Sequence, residues 1–405
     1  MTLSRAGWAG LLTAAAFSVA WFAVAAPLQQ PKPKPKGEAE ELLKLPARPK
    51  KAALPGSKLP LELVANERIA FVGGSTAERF NLFGHFEALL HSRFPDKQLV
   101  VRNFARPADE VALRQRPSDY TKLGDPMLAF NPDTIVCFFG FNESFAGPDG
   151  VAKFKADYEK LLDEYAAKYP RDDAGSKPRF VIVSPMAFEP TGDPHLPEGT
   201  KENANLKLYA AAAKDVAAKL NVAFVDVYEP TLKEFTAKPG MQYTINGCHA
   251  NEAGDLVVAA ALDAGLFGGA NPAKPGTSEF EKLRAAVNDK SWVHQQDYRM
   301  VNGWYVYGGR RTFDTETFPR EFVKLRNMAA VRDRYVWYLA QGKPVAAKPD
   351  DSNTGELLTP PTRFGEPRQK YSEDQGAGPR ILPPDEFVKT CKVPDGFEGK
   401  LFADE

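Results

Sequence analysis

Cysteine is scarce in this chain: three in 405 residues, Cys137, Cys248 and Cys391, far apart and with no CxxC or CxxCH pair among them. That argues against a disulfide-rich scaffold, a cysteine zinc site and a covalently attached c-type haem. Histidine is nearly as rare, with five in the chain. An excess of either charge is also lacking. Lys plus Arg and Asp plus Glu number 52 each, so no global field would hold the protein on nucleic acid or steer it to an anionic membrane. What remains is ordinary globular composition, 43% hydrophobic and 26% charged, enough for one large domain or two modest ones.

The amino terminus is set apart from the body. Arg5 precedes an apolar run from Ala6 to Ala26 that ends in Ala23-Val24-Ala25-Ala26, the pattern of a secretory signal with an A-x-A-like cleavage site. The expected destination is the periplasm or the exterior. A run of about 20 residues also suffices to cross a bilayer, so an uncleaved leader (residues 1–26) would act as a membrane anchor. Residues 27–60 contain a PKPKPKG run, further prolines and more Lys and Arg than acids; they bury little apolar surface and predict an extended spacer.

From Leu61 the pattern changes to short apolar, β-rich runs separated by amphipathic stretches. Five strands are predicted: Ile69 to Gly73, Leu99 to Asn103, Asp133 to Gly140, Phe180 to Ser184 and Val222 to Val227. The near-continuous hydrophobicity of the third and fourth suits strands covered on both faces. Apolar residues return at three- and four-residue spacing over Glu78 to Arg93, Val151 to Tyr169, Glu202 to Leu220 and Asn251 to Leu262, predicting crossover helices. The expectation is an α/β fold, a three-layer α/β/α sandwich on a five-stranded parallel sheet, over residues 61–269. In such sheets sites form beyond the carboxyl ends of the strands.

Three polar positions fall there. Ser75 lies in Gly73-Gly74-Ser75-Thr76 after the first strand, where glycines permit a sharp turn that exposes a nucleophile at a helix amino terminus; the same residues also fit a turn with Ser75 as helix cap. Asn142 follows the third strand in Gly140-Phe141-Asn142-Glu143, placed either to donate to an oxyanion or to form a turn. His249 stands in the polar loop Thr244 to Gly254, just before a helix. His85 and His91 fall in the first predicted helix as packing residues, while His195 and His294 lie in later segments where either could line a cleft.

In this order the blocks resemble the SGNH, or GDSL-type, hydrolase superfamily over about Arg68 to Gly265. Gly74-Ser75 stands at the nucleophile block, Val101 to Asp109 at the second, Gly140 to Glu143 at the third and Asn246 to His249 at the last, which in the family is usually DxxH. The resemblance implies Ser75 as nucleophile, His249 as general base and an oxyanion hole of the Ser75 N–H, the Ala108 N–H and the Asn142 side chain. It implies no metal or organic cofactor. This chain departs from the pattern in three places. Ala105 and Ala108 replace glycines, which leaves a backbone donor undisturbed only if φ there is negative. Glu143 replaces an Asp, and Asn246 stands where the third triad member is an Asp; an Asn accepts from Nδ1–H but offers the imidazolium no negative charge.

After Ala270 the strand pattern stops. Residues 270–342 predict helices at Ser278 to Asn288 and Pro319 to Leu339, with Trp292, Tyr298, Trp304, Tyr305, Tyr307 and the Gly308-Gly309-Arg310-Arg311 run between them. Either these aromatics pack the appended helices on the sandwich, or Trp304 and Arg310 overhang the site as substrate-binding residues. Residues 343–405 turn rich in Pro, Gly and charge. Their end, Pro383 to Phe402, is similar to the opening of a β-propeller module, the alternative being a disordered tail. The expected function is an exported serine ester hydrolase that removes acetyl groups from carbohydrate, on a small-molecule or polysaccharide ester. The rival is a weak or inactive domain of the same type that binds polysaccharide or docks a propeller partner.

Overall fold

The computed structural model of the chain describes residues 53–114, 125–171, 176–237, 240–299, 314, 317–356 and 382–401. The leader, most of the spacer, Trp304, Arg310 and residues 357–381 of the tail lie outside the described residues. Among the described residues no helix is long and apolar enough to cross a membrane.

All five predicted strands are present within two residues of their expected ends: β1 (Arg68–Gly73), β2 (Val100–Asn103), β3 (Thr134–Phe138), β4 (Arg179–Val183) and β5 (Ala223–Val225). They form one parallel sheet in the order β2-β1-β3-β4-β5. Successive side chains of a strand point to opposite faces, and the core divides accordingly. Phe71, Val136, Phe138 and Val181 belong to one apolar cluster, while Ala70, Val72, Ile135, Cys137 and Ile182 belong to the other. Both faces are covered, which is why β1, β3 and β4 are apolar after their first residue.

The crossover helices follow the predicted amphipathic stretches, but the last runs on past Leu262 to Phe267, the appended helix expected to end at Asn288 continues to Tyr298, and the first is broken. The expected single helix from Glu78 to Arg93 is three short ones, α1 (Ser75–Glu78), α2 (Phe80–Phe83) and α3 (His85–Arg93). The second break falls at Gly84, whose left-handed φ of +71° suits glycine. Beyond α4 (Pro126–Phe130), α5 (Val151–Lys168) and α6 (Thr200–Leu220) cover one face; α7 (Tyr228–Ala237) and α8 (Glu252–Phe267) lie on the other.

Two long helices, α9 (Ser278–Tyr298) and α10 (Thr317–Ala340), pack as a pair along the outer side of β2, the edge strand. The outward carbonyls of β2 and its flank find side-chain donors there. Trp337 Nε1 donates to Leu99 O at 2.7 Å, Lys290 Nζ to Val101 O at 3.1 Å, and His294 Nε2 to Asn103 O at 3.0 Å. Arg102 makes a buried two-pronged pair with Asp333 at 2.8 and 2.6 Å, and Lys290 pairs with buried Glu87. Of the predicted aromatics, Tyr298 is buried against Phe104, whereas Trp292 faces solvent. Where the sequence predicts a spacer from 343, residues up to 356 lie along α10: Asp351 pairs with Arg332 and Lys324 donates to Gly355 O. A last helix, α11 (Pro384–Thr390), has no buried residue.

Candidate active site

The site assembles at the carboxyl ends of β1, β2 and β3. Gly73 closes β1 at φ +133°, where any Cβ would stand 2.1 Å from Phe138 O of the neighbouring strand. Only glycine fits this close crossing. Gly74, extended, is the residue before α1, so Ser75 is the first residue inside the helix and not its cap. A first-turn N–H has no acceptor within its own helix, and the Ser75 Oγ makes no hydrogen bond to the described residues. Beneath it, Phe71, Phe80 and Phe138 pack edge to face or tilted, with centroids 5.6–5.9 Å apart, and hold the turn from below.

Gly74, Ser75, Asp109, Asn142, Glu143 and His249 face one cavity of about 190 Å³, whose apolar wall includes Phe138, Phe141 and Phe145. Asn142 begins a short 3-10 turn, Glu143–Ala146, with helical backbone. Its carboxamide bonds none of the described residues and is available to a ligand in the cavity. Ala108 stands one residue before Asp109, exposed, at φ +61°. The condition of a negative φ is therefore not met: alanine occupies a left-handed position that the family fills with glycine, at a cost of about 1–2 kcal/mol. The Ala108 N–H donates to no backbone carbonyl among the described residues, though Ala108 itself does not line the cavity. Its loop is held by Asn103, whose Nδ2 reaches Ala77 O at 2.6 Å and whose Oδ1 accepts from Ala105 N.

His249 is carried by a tight loop closed by a bridge between Thr244 and Ala250. A buried carboxylate fixes this loop: Glu189 accepts from the Tyr243 and Thr244 N–H groups, each at 2.7 Å, and from the Thr244 hydroxyl at 2.5 Å. Asn246 Oδ1 accepts from His249 N at 3.1 Å and Cys248 N at 3.4 Å. Backbone N–H groups only donate, so the atom they face is the amide oxygen. The same oxygen stands 3.0 Å from His249 Nδ1. Nδ1 must then carry the proton, leaving Nε2 bare as an acceptor. No carboxylate pairs with His249 among the described residues, and its pKa is lowered from the ordinary 6.5, first by burial and then by the Arg79 guanidinium, which is fixed by a 2.5 Å bond from Nε to Ala250 O. The imidazole is neutral, in the tautomer a general base requires.

The other histidines are elsewhere. His85 pairs with Asp255 at 2.8 Å, His91 with Glu87 at 3.3 Å, His294 is buried on β2 and His195 sits in an exposed loop; none lines the cavity. Sequence reasoning missed Glu189 and passed over Glu143 as a minor replacement. Glu143 adjoins Asn142 and could have been flagged by that, whereas nothing local marks Glu189, 54 residues before the backbone it holds.

A parallel 2-1-3-4-5 sheet with serine, asparagine and histidine gathered at its carboxyl edge defines the class of SGNH-type hydrolases. Residues 71–256 match the model of the GDSL-like Lipase/Acylhydrolase family, and this part of the chain is a carboxylic ester hydrolase domain of that type. Similar solved structures include a catalytic mutant of Axe2, an acetylxylan esterase from Geobacillus stearothermophilus, at 15% identity over 51% of this chain and 96% of that one, TM-score 0.40. LAE5, an alpha/beta hydrolase enzyme from the metagenome of Lake Arreo, is 19% identical over 51% of this chain and 99% of its own, TM-score 0.38. BT4096, a gut microbial diltiazem-metabolizing enzyme, is 18% identical over 51% of this chain and 48% of its own, TM-score 0.39. No curated protein matches the chain.

Proposed function

We propose that this protein is an exported serine esterase that removes acetyl groups from carbohydrate, with Ser75 as nucleophile and His249 as general base. The observation that carries the reading is that Ser75, Asn142 and His249 share one small cavity. His249 Nε2 takes the Ser75 proton as Oγ attacks the ester carbonyl. The Ser75 N–H and the Asn142 carboxamide, both at the cavity, receive the oxyanion, with the Ala108 N–H of the adjoining loop as the third donor that the family pattern implies; such donors are worth about 2.7–4 kcal/mol where one has been removed. The imidazolium then returns the proton to the leaving alcohol, and water repeats the sequence on the acyl-enzyme. About 190 Å³ is below the usual 300–1,000 Å³ of drug-sized ligand sites, which favours an acetyl over a long acyl chain. Phe145, 73% exposed at the cavity wall, offers an aromatic face on which a sugar ring can stack. Export rests on the apolar run of residues 6–26.

A second reading draws on Asn246: without a carboxylate at Nδ1 the domain could bind an acetylated polysaccharide without turning it over. The test is acetate release from acetylated xylan and from p-nitrophenyl acetate by the full chain beside its Ser75→Ala and His249→Ala variants. Loss of at least about 10³-fold in both variants supports the esterase. A parent with no activity, but with affinity for the acetylated polymer, would support the binding role.

A further inference from the structure

One carboxylate bridges the two loops that carry the oxyanion donors. Glu143 Oε2 accepts the Gly140 N–H at 2.8 Å, within its own turn after β3. Its Oε1 crosses to the loop after β2 and accepts the Val111 N–H, also at 2.8 Å. These strands are not neighbours: β1 lies between them, so no backbone ladder sets the spacing of their loops. The loop after β2 is also pressed against the Gly74-Ser75 turn, since a Cβ on Gly74 would stand 3.3 Å from Asp109 O.

We propose that Glu143 is the positioning residue of the oxyanion hole, its carboxylate clamping the Asn142 turn to the Ala108 loop at the spacing a tetrahedral oxyanion requires. The inference rests on the esterase reading above. The two backbone donors meet different oxygens of the side chain, so both atoms must accept, which an ionised carboxylate allows and a carboxamide, with one oxygen, does not. Burial pushes the Glu143 carboxyl up to about 7, against the pull of its backbone partners. The ionisable groups around it are Glu110 on the second loop, Tyr158 of α5 and Tyr209 of α6, with Asp109 and His249 also facing the cavity. The clamp therefore forms as pH rises through about 7 and loosens below it.

The experiment is steady-state hydrolysis of p-nitrophenyl acetate from pH 5.5 to 9 by the full chain, Glu143→Gln, Glu143→Asp and Ser75→Ala, with a melting curve for each. The glutamine variant is expected to lose about 10- to 100-fold in kcat at pH 8 with KM within about threefold, as removal of one oxyanion donor does at the upper end, and to melt only a few degrees below the parent, as one unmet backbone donor implies. The parent kcat is expected to step up through about pH 7; the glutamine variant lacks that step and the aspartate variant keeps it at reduced height. Glu143→Gln within twofold of the parent while Ser75→Ala is dead overturns the clamp and leaves the esterase standing. Activity surviving in Ser75→Ala overturns both. Melting that begins at or below the assay temperature in both Glu143 variants also overturns it, because the residue would then hold the fold and not the hole.

Discussion

Replacing Asn246 with aspartate would put a carboxylate 3.0 Å from His249 Nδ1, on an oxygen position already oriented by the Cys248 and His249 N–H groups. At an effective dielectric of about 20, a unit charge at that distance attracts an imidazolium by about 5 kcal/mol before solvent takes its share. His249 is only partly buried, so the retained part corresponds to a pKa rise of about 1–2 units, or about 1.4–2.7 kcal/mol. The transition state carries the imidazolium and gains this stabilisation. In serine proteases the aspartate-to-asparagine change costs about 10⁴, chiefly by selecting the wrong tautomer. Here the asparagine already selects the right one, so the reverse change restores charge alone and should raise kcat/KM about 10- to 100-fold. The assay is p-nitrophenyl acetate hydrolysis across pH 5.5–9.5, with the rate compared on the alkaline plateau. The acid limb set by His249, below pH 6.5 in the parent, should move up by the same 1–2 units, the neutral base being lost sooner as pH falls. A gain near 10⁴ would mean that the parent holds the other tautomer. No gain and an unmoved limb would mean that residue 246 does not face Nδ1 at all.

Two further changes test the backbone around the site. Ala108→Gly relieves about 1–2 kcal/mol of left-handed strain but returns about 0.4–1 kcal/mol of entropy to the unfolded chain, so chemical denaturation should read a net gain of about 0.5–1 kcal/mol; a destabilised variant would contradict the positive φ. Glu189→Gln leaves one fewer acceptor for the Tyr243 and Thr244 donors, a loss of about 1.5–3 kcal/mol. It should lower kcat/KM on p-nitrophenyl acetate as well, since the loop it holds carries both Asn246 and His249, and unchanged kinetics would separate that loop from catalysis.

The parallel sheet was legible because its strands announce themselves twice, by β-rich runs such as Phe180 to Ser184 and by their spacing around amphipathic stretches. Ser75, Asn142 and His249 were legible because each sits directly at a strand end or a helix start, where local chain order already specifies sheet edge. Gly84 was not, because a helix-length apolar period says nothing of a left-handed φ of +71° in its midst. The φ of Ala108 was equally hidden: alanine gives no sign of a left-handed backbone, and only the surrounding loop imposes it. Glu143 and Glu189 act on backbone N–H groups supplied by distant segments, and sequence pattern carries no record of which N–H lacks a partner.

The three side-chain donors lined along β2 bear on where this chain can be cut. Leu99, Val101 and Asn103 turn their carbonyls away from the sheet and are met by tryptophan, lysine and histidine from α9 and α10. A sixth strand would use the same carbonyls. A fragment ending at residue 269, where the strand pattern stops, would keep the whole sheet and every residue of the cavity, yet bare a sticky edge. It would also strip Arg102 and Glu87 of Asp333 and Lys290, their partners on those helices. Such a fragment invites edge-to-edge pairing between copies, so a cloned core that precipitates would report on its missing helices and not on its catalytic centre.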